Sequence, residues 1–202
     1  MQASKIIEKY RIIPVVVINR AEDTLPLMQK LLAGGLPVAE ITFRTPCAKE
    51  AIEIAVREFS EMLIGAGTVI NAGQCRSAAA AGARFIVSPG FSREVAETCK
   101  ELSLPYYPGC VTPSEIMDAL SLGLNILKFF PAQVYGGLSS INALGAAFPS
   151  VKFIPTGGVD NSNLREYLSN PRIYAVGGSF MMKGEIEKVT AEAVKIAMEA
   201  SI

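Results

Sequence analysis

Short apolar runs recur along the whole chain, separated by longer amphipathic stretches. The runs are Ile12–Ile18, Val38–Phe43, Met62–Ala66, Phe85–Val87, Leu104–Tyr107, Asn125–Phe130, Lys152–Pro155 and Ile173–Val176. Their centres lie roughly 20–27 residues apart, room for one strand, one helix and two short loops. The stretches between them carry helical signals. Leu27 and Leu31, and Met28 and Leu32, stand at i,i+4 spacing within Leu25–Leu32, and Cys47–Phe59, Ala72–Ala81, Ser92–Leu102 and Pro113–Leu122 read as further helices. Ser92 with Glu94, Thr112-Pro113 with Glu115, and Asp160 or Asn161 ahead of Leu164 are helix starts. Gly34-Gly35, Gly82 and Gly123 mark helix ends. A helical pattern opens the chain over Met1–Tyr10, and another runs over Glu185–Ala200.

Strand–helix units repeated without a long linker predict an α/β protein: a single (β/α)8 TIM barrel over residues 1–202, with an additional short N-terminal helix. The alternative is an open, doubly wound sheet. Its expected nucleotide turn would fall at Gly65-Ala66-Gly67, which lacks the third glycine and a suitably spaced acidic residue.

Strand alternation sorts the polar residues. Ala39, Ile41 and Phe43 share one face of the second run, and Glu40, Thr42 and Arg44 share the other. A carboxylate, a hydroxyl and a guanidinium then face the interior, either as a structural Glu40–Arg44 pair or as an acid-base carboxylate beside an anion clamp. In the sixth run, Leu127 and Phe129 share a face, and Lys128 sits among apolar residues on the other. It is either a lysine snorkelling from a strand end or a desolvated amine suited to Schiff-base chemistry, because loss of water disfavours the ammonium form. Thr156-Gly157-Gly158 and Gly177-Gly178-Ser179 follow the last two runs, where barrel enzymes bind phosphate through backbone N–H groups. Gly65-Ala66-Gly67-Thr68 leaves room at the mouth and offers a hydroxyl. Ser88-Pro89-Gly90 is a rim turn or a substrate wall.

Composition narrows the chemistry. The chain has no histidine, which excludes imidazole bases, His-dependent nucleophiles and His-ligated zinc. The four cysteines form no CxxC or zinc spacing and read as buried or half-buried thiols. Lys plus Arg and Asp plus Glu are 19 each, so no basic footprint for nucleic acid exists. No apolar run approaches the ~20 residues that span a bilayer. A cytoplasmic protein that binds neither nucleic acid nor membrane is expected.

The segments Ala39-Glu40-Ile41-Thr42-Phe43-Arg44-Thr45, Gly65-Ala66-Gly67-Thr68-Val69, Ser88-Pro89-Gly90, Lys128-Phe129-Phe130-Pro131-Ala132, Pro155-Thr156-Gly157-Gly158-Val159 and Gly177-Gly178-Ser179 fall in the order of one family. The chain resembles the 2-keto-3-deoxy-6-phosphogluconate aldolases, also described as 4-hydroxy-2-oxoglutarate aldolases, over nearly its whole length. The resemblance implies a class I aldolase on a (β/α)8 barrel, without metal or cofactor, acting on a small 2-keto acid sugar phosphate and assembled as a homotrimer. It makes Lys128 the Schiff-base lysine and Glu40 the general acid/base. Arg44 and Thr68 would hold the pyruvate carboxylate, Phe130 would lie beside the lysine and Pro89 would wall the pyruvate pocket. Thr156 would contact the aldehyde half, and Gly157, Gly158, Gly178 and Ser179 the phosphate. Gln133 and Phe180 stand where relatives commonly carry an acidic residue and Trp. Val17 stands where relatives acting on the galactonate epimer carry Arg, which favours the gluconate type. Two rivals share the glycine turns without needing an imine: a phosphate-binding barrel isomerase or synthase, and a non-catalytic sugar-phosphate binder.

Overall fold

The computed structural model describes residues 2–200. Met1, Ser201 and Ile202, which the sequence-based boundaries include, lie outside the described residues. Helix α1 (Gln2–Tyr10) precedes alternating strands and helices: β1 (Ile12–Val16), α2 (Thr24–Ala33), β2 (Val38–Thr42), α3 (Ala48–Glu58), β3 (Leu63–Gly67), α4 (Ala72–Ala80), β4 (Ile86–Val87) and α5 (Arg93–Glu101). There follow β5 (Tyr106–Tyr107), α6 (Pro113–Ser121), β6 (Ile126–Phe129), α7 (Gly137–Ala147), β7 (Lys152–Pro155), α8 (Leu164–Leu168), β8 (Val176–Gly178) and α9 (Ile186–Glu199). Short 3-10 turns lie at Ala21–Asp23 and Phe180–Met182.

All strand pairs are parallel. Six strands form one sheet in the order β5-β4-β3-β2-β1-β8, and β6 pairs with β7 in a second. Isolated parallel bridges join their edges: Gly109 to Lys128 on one side, and Phe153 to Ile173 and Thr156 to Gly177 on the other. The α/β class, the parallel strands and the N-terminal helix match the expectation from sequence.

The helix-start signals act as expected at two sites. Ser92 accepts the Val95 N–H at 3.4 Å, and Thr112 and Glu115 form a reciprocal capping box. At α8 the cap residue is Asn163 rather than Asp160 or Asn161. Asp160 builds the preceding turn: its Oδ1 accepts from Ser162 N–H and Oγ, and its carbonyl accepts the Leu164 N–H at 2.9 Å. The run expected at Ile173–Val176 pairs in two pieces. Around Ile173 the backbone bridges Phe153 of β7, with the Tyr174 N–H donating to the Phe153 carbonyl at 2.9 Å, and β8 joins β1 from Val176.

The alternation in β2 separates two cores. Ala39 and Ile41 pack outward with Ile52 and Ala55 of α3. Val38 points the other way, into a cluster with Leu63, Phe85, Tyr107 and Ile7 of α1. Each of these large apolar side chains contributes about 1.5–3 kcal/mol when fully buried. Among the described residues, no helix is long and apolar enough to cross a membrane.

Candidate active site

The parallel register sets Glu40 beside Val15 of β1 and Gly65 of β3. Its face of β2 is the inner one, and the side chain is only 2% exposed. Thr42, two residues on, is fully buried and donates from Oγ1 to the Val16 carbonyl at 3.1 Å. Space for the carboxylate comes from the next strand. A Cβ on Gly67 would overlap Glu40 Oε1 and stand 2.6 Å from the carboxyl carbon.

In β6, Leu127 and Phe129 lie on one face of the strand among buried apolar side chains, Phe129 edge-on to Phe153 with centroids 6.1 Å apart. Lys128 enters from the opposite face. Its backbone is held on one side by the β5 extension: Lys128 N–H donates to Pro108 at 2.8 Å, and its carbonyl accepts from Cys110 at 2.9 Å. The side chain is 3% exposed, and Nζ lies 3.6 Å from Glu40 Oε1. The Phe130 ring centroid is 5.1 Å from the same nitrogen, where the π face favours a cation. Glu40 Oε1 is buried with no hydrogen-bond partner among the described residues. Buried charges are tolerated when paired, so each group supplies the other's reason for being inside. The pair is therefore Lys128–Glu40 and not Glu40–Arg44. Arg44 is exposed and donates from Nε to Thr68 Oγ1 at 3.0 Å. Thr68 holds a left-handed backbone, φ 56°, a costly conformation for a β-branched residue.

A cavity of about 320 Å³ is reached from this pair through Phe130, which lines it, while Lys128, Glu40 and Thr68 do not. Its walls hold Arg44, Phe130, Thr156, Gly157, Gly158, Gly178 and Ser179, which the sequence had singled out. Thr156 tucks over Gly177, where a Cβ would meet the threonine methyl at 3.3 Å. Gly157 and Gly158 adopt φ of 94° and 82°, which side chains rarely take. Gln133 packs against Gly158, where an added Cβ would lie 3.1 Å from Gln133 Cγ.

Pro89 is set apart. It lines a neighbouring depression of about 220 Å³ with Val69, Ile70 and Phe91. Its carbonyl abuts Gly109, the residue bridged to Lys128. A larger depression, about 550 Å³ between α2 and α9, contains none of the residues singled out from sequence.

Sequence reasoning missed several residues that shape the site. Val15, Asp160 and Lys183 also line the cavity. Gly109 and Gly177 clear space for Pro89 and Thr156, as Gly67 does for Glu40. The glycines were visible in the chain, but the atoms they make way for arrive from other strands. The Asp160 carboxyl is held below the usual carboxylate range, first by the Ser162 hydroxyl and N–H, with the Lys183 charge adding to the effect.

An all-parallel α/β fold with a buried amine–carboxylate pair, joined through Phe130 to a glycine-walled cavity, has the parts that imine chemistry uses. Sequence comparison narrows the class. The family model for KDPG and KHG aldolases matches residues 3–196, and the chain belongs to that family. It is 43% identical over 191 residues to a 2-dehydro-3-deoxy-phosphogluconate aldolase of Treponema pallidum, covering 92% of this chain and 91% of that one. Among solved structures it resembles the KDPG aldolase of Legionella pneumophila with pyruvate captured as a covalent carbinolamine, with TM-score 0.88, 42% identity and coverage of 99% and 98%. It also resembles the Zymomonas mobilis aldolase with 3-phosphoglycerate, with TM-score 0.92, 37% identity and coverage of 98% and 97%.

Proposed function

We propose that this chain is a class I aldolase. It cleaves 2-keto-3-deoxy-6-phosphogluconate reversibly to pyruvate and glyceraldehyde 3-phosphate, and 4-hydroxy-2-oxoglutarate to pyruvate and glyoxylate. The observation that carries this reading is the buried Lys128 amine 3.6 Å from an otherwise unpartnered Glu40 oxygen. The carbinolamine in the Legionella relative supports the same chemistry.

The steps follow from that geometry. Glu40 takes a proton from the Lys128 ammonium and frees the lone pair. Nζ attacks C2 of the substrate, the carbonyl π pair moves to oxygen, and that oxygen takes the proton that the now cationic Nζ gives up. Glu40 returns a proton as the carbinolamine loses water, leaving an iminium over the Phe130 ring. Glu40 then removes the C4 hydroxyl proton. The C3–C4 bond breaks, its electrons enter the enamine, and glyceraldehyde 3-phosphate leaves. Protonation at C3 and hydrolysis release pyruvate and restore Lys128. Arg44 and Thr68 hold the pyruvate carboxylate, and Pro89 supports the wall behind it. Thr156 contacts the aldehyde half, and Gly157, Gly158, Gly178 and Ser179 receive the phosphate. Val17, 39% exposed on the cavity wall, favours the gluconate epimer.

The same reading extends to the whole molecule. The bridges at both sheet edges support one closed eight-stranded barrel, a single domain over residues 1–202. Exposed Ile70 and Val134, at 57% and 80%, suit a surface covered in a homotrimer. The catalyst works without metal and in the cytoplasm.

Borohydride reduction with pyruvate, followed by peptide mapping, tests the reading. The expected adduct is on Lys128, and an adduct elsewhere, or none in an active preparation, overturns it. Glu40→Gln keeps the shape and removes the base. Cleavage should fall about 10²–10⁴-fold with the fold intact. EDTA treatment should leave cleavage unchanged, and loss with rescue by a divalent ion would reject the metal-free mechanism.

A further inference from the structure

We propose that Lys183 is the cation that selects the phosphorylated substrate. This deepens the aldolase reading and rests on it. Among the described residues, two cationic side chains line the cavity, Arg44 and Lys183. They stand at different places on its rim. Arg44 follows β2 and is tied toward β3 by its bond to Thr68. Lys183 follows β8, after the 3-10 turn that begins directly beyond Ser179. In the sheet order, β1 lies between β2 and β8, so the two positions are separated by two strand spacings, roughly 10 Å. The proposed substrate also carries two anions, a carboxylate at C1 and a phosphate at C6. With Arg44 committed to the carboxylate beside Lys128, Lys183 is the cation left at the end where both glycine turns lie.

A second observation comes from Asp160. Its carboxylate lines the same cavity, and its hydrogen bonds from Ser162 keep it ionised. An incoming phosphate would meet this negative charge, and Lys183, whose charge acts on Asp160, offsets it. Lys183 therefore offsets Asp160 and adds attraction for the phosphate beyond what neutral backbone N–H groups offer. Its side chain is exposed, so its effect is salt-sensitive.

The test compares two substrates that share Lys128 and Glu40. For Lys183→Met, the preference in kcat/KM for the phosphorylated substrate over 4-hydroxy-2-oxoglutarate should fall about 10-fold, mainly through KM. Lys183→Arg should restore most of it. The salt dependence of kcat/KM on the phosphorylated substrate should flatten in the Met variant. Inorganic phosphate binding, measured by calorimetry, should weaken in Lys183→Met irrespective of turnover, which separates this proposal from the aldolase reading. Equal losses on both substrates, or unchanged preference and phosphate affinity, overturn the proposal.

Discussion

Glu40 reaches the interior over a residue that has no side chain. The register alone would bring its carboxylate against β3, and only glycine at position 67 leaves the oxygen its place. Gly67→Ala needs no unusual backbone, yet its methyl would displace the carboxylate. We expect cleavage to fall at least about 10-fold with a stability loss of about 1–3 kcal/mol, checked by steady-state rates and a thermal melt. The cysteines make a second residue-scale case. Burial pushes the Cys110 thiol up to about 12, with Glu115 and Asp118 adding to it. Cys75 and Cys99 are also buried, their sulfurs 3.4 Å apart, while Cys47 is half-buried. Titration with dithionitrobenzoate at pH 8 should find Cys47 reactive in the native protein and all four thiols after denaturation. The Cys110 shift also gives a pH dependence. The folded value lies above the ordinary 9.0, so its contribution is complete below pH 9 and is lost as pH rises toward about 12. Urea midpoints measured across that window should fall with rising pH, and by less in Cys110→Ala.

At the scale of elements, local signals succeeded where the partner is local. The Thr112–Glu115 box needs only residues of its own turn, and both the pattern and the contact are there. Thr112→Ala should cost about 1 kcal/mol, within 0.5–2, read as a lower denaturant midpoint with unchanged slope. Helix α7 went unmarked because its sequence is rich in small residues and opens on Gly136 and Gly137. It is held through close approach instead: a Cβ on Gly145 would meet Arg172 Nε at 2.8 Å. The short β4 and β5, two residues each, are likewise set by pairing with neighbours more than by their own runs.

At the scale of the molecule, α1 belongs to the core as much as any strand does. Ile7 is fully buried in the cluster with Val38, Leu63, Phe85 and Tyr107. Ile7→Ala should cost about 2–5 kcal/mol, a fall in Tm of roughly 2–4 °C per kcal/mol for a chain of this length. The sequence by itself determined the alternation of strands and helices, the inward face of β2 and the odd placement of Lys128. Those are consequences of side-chain period and of the cost of burying charge, both written along one strand. The tertiary structure decided which charge meets which. Glu40 pairs with Lys128 across the interior and not with Arg44 on its own strand, and Lys183 shares a cavity with Asp160. Local periodicity states only which way a side chain points. What it meets depends on strand order and register, which are set when distant segments pack.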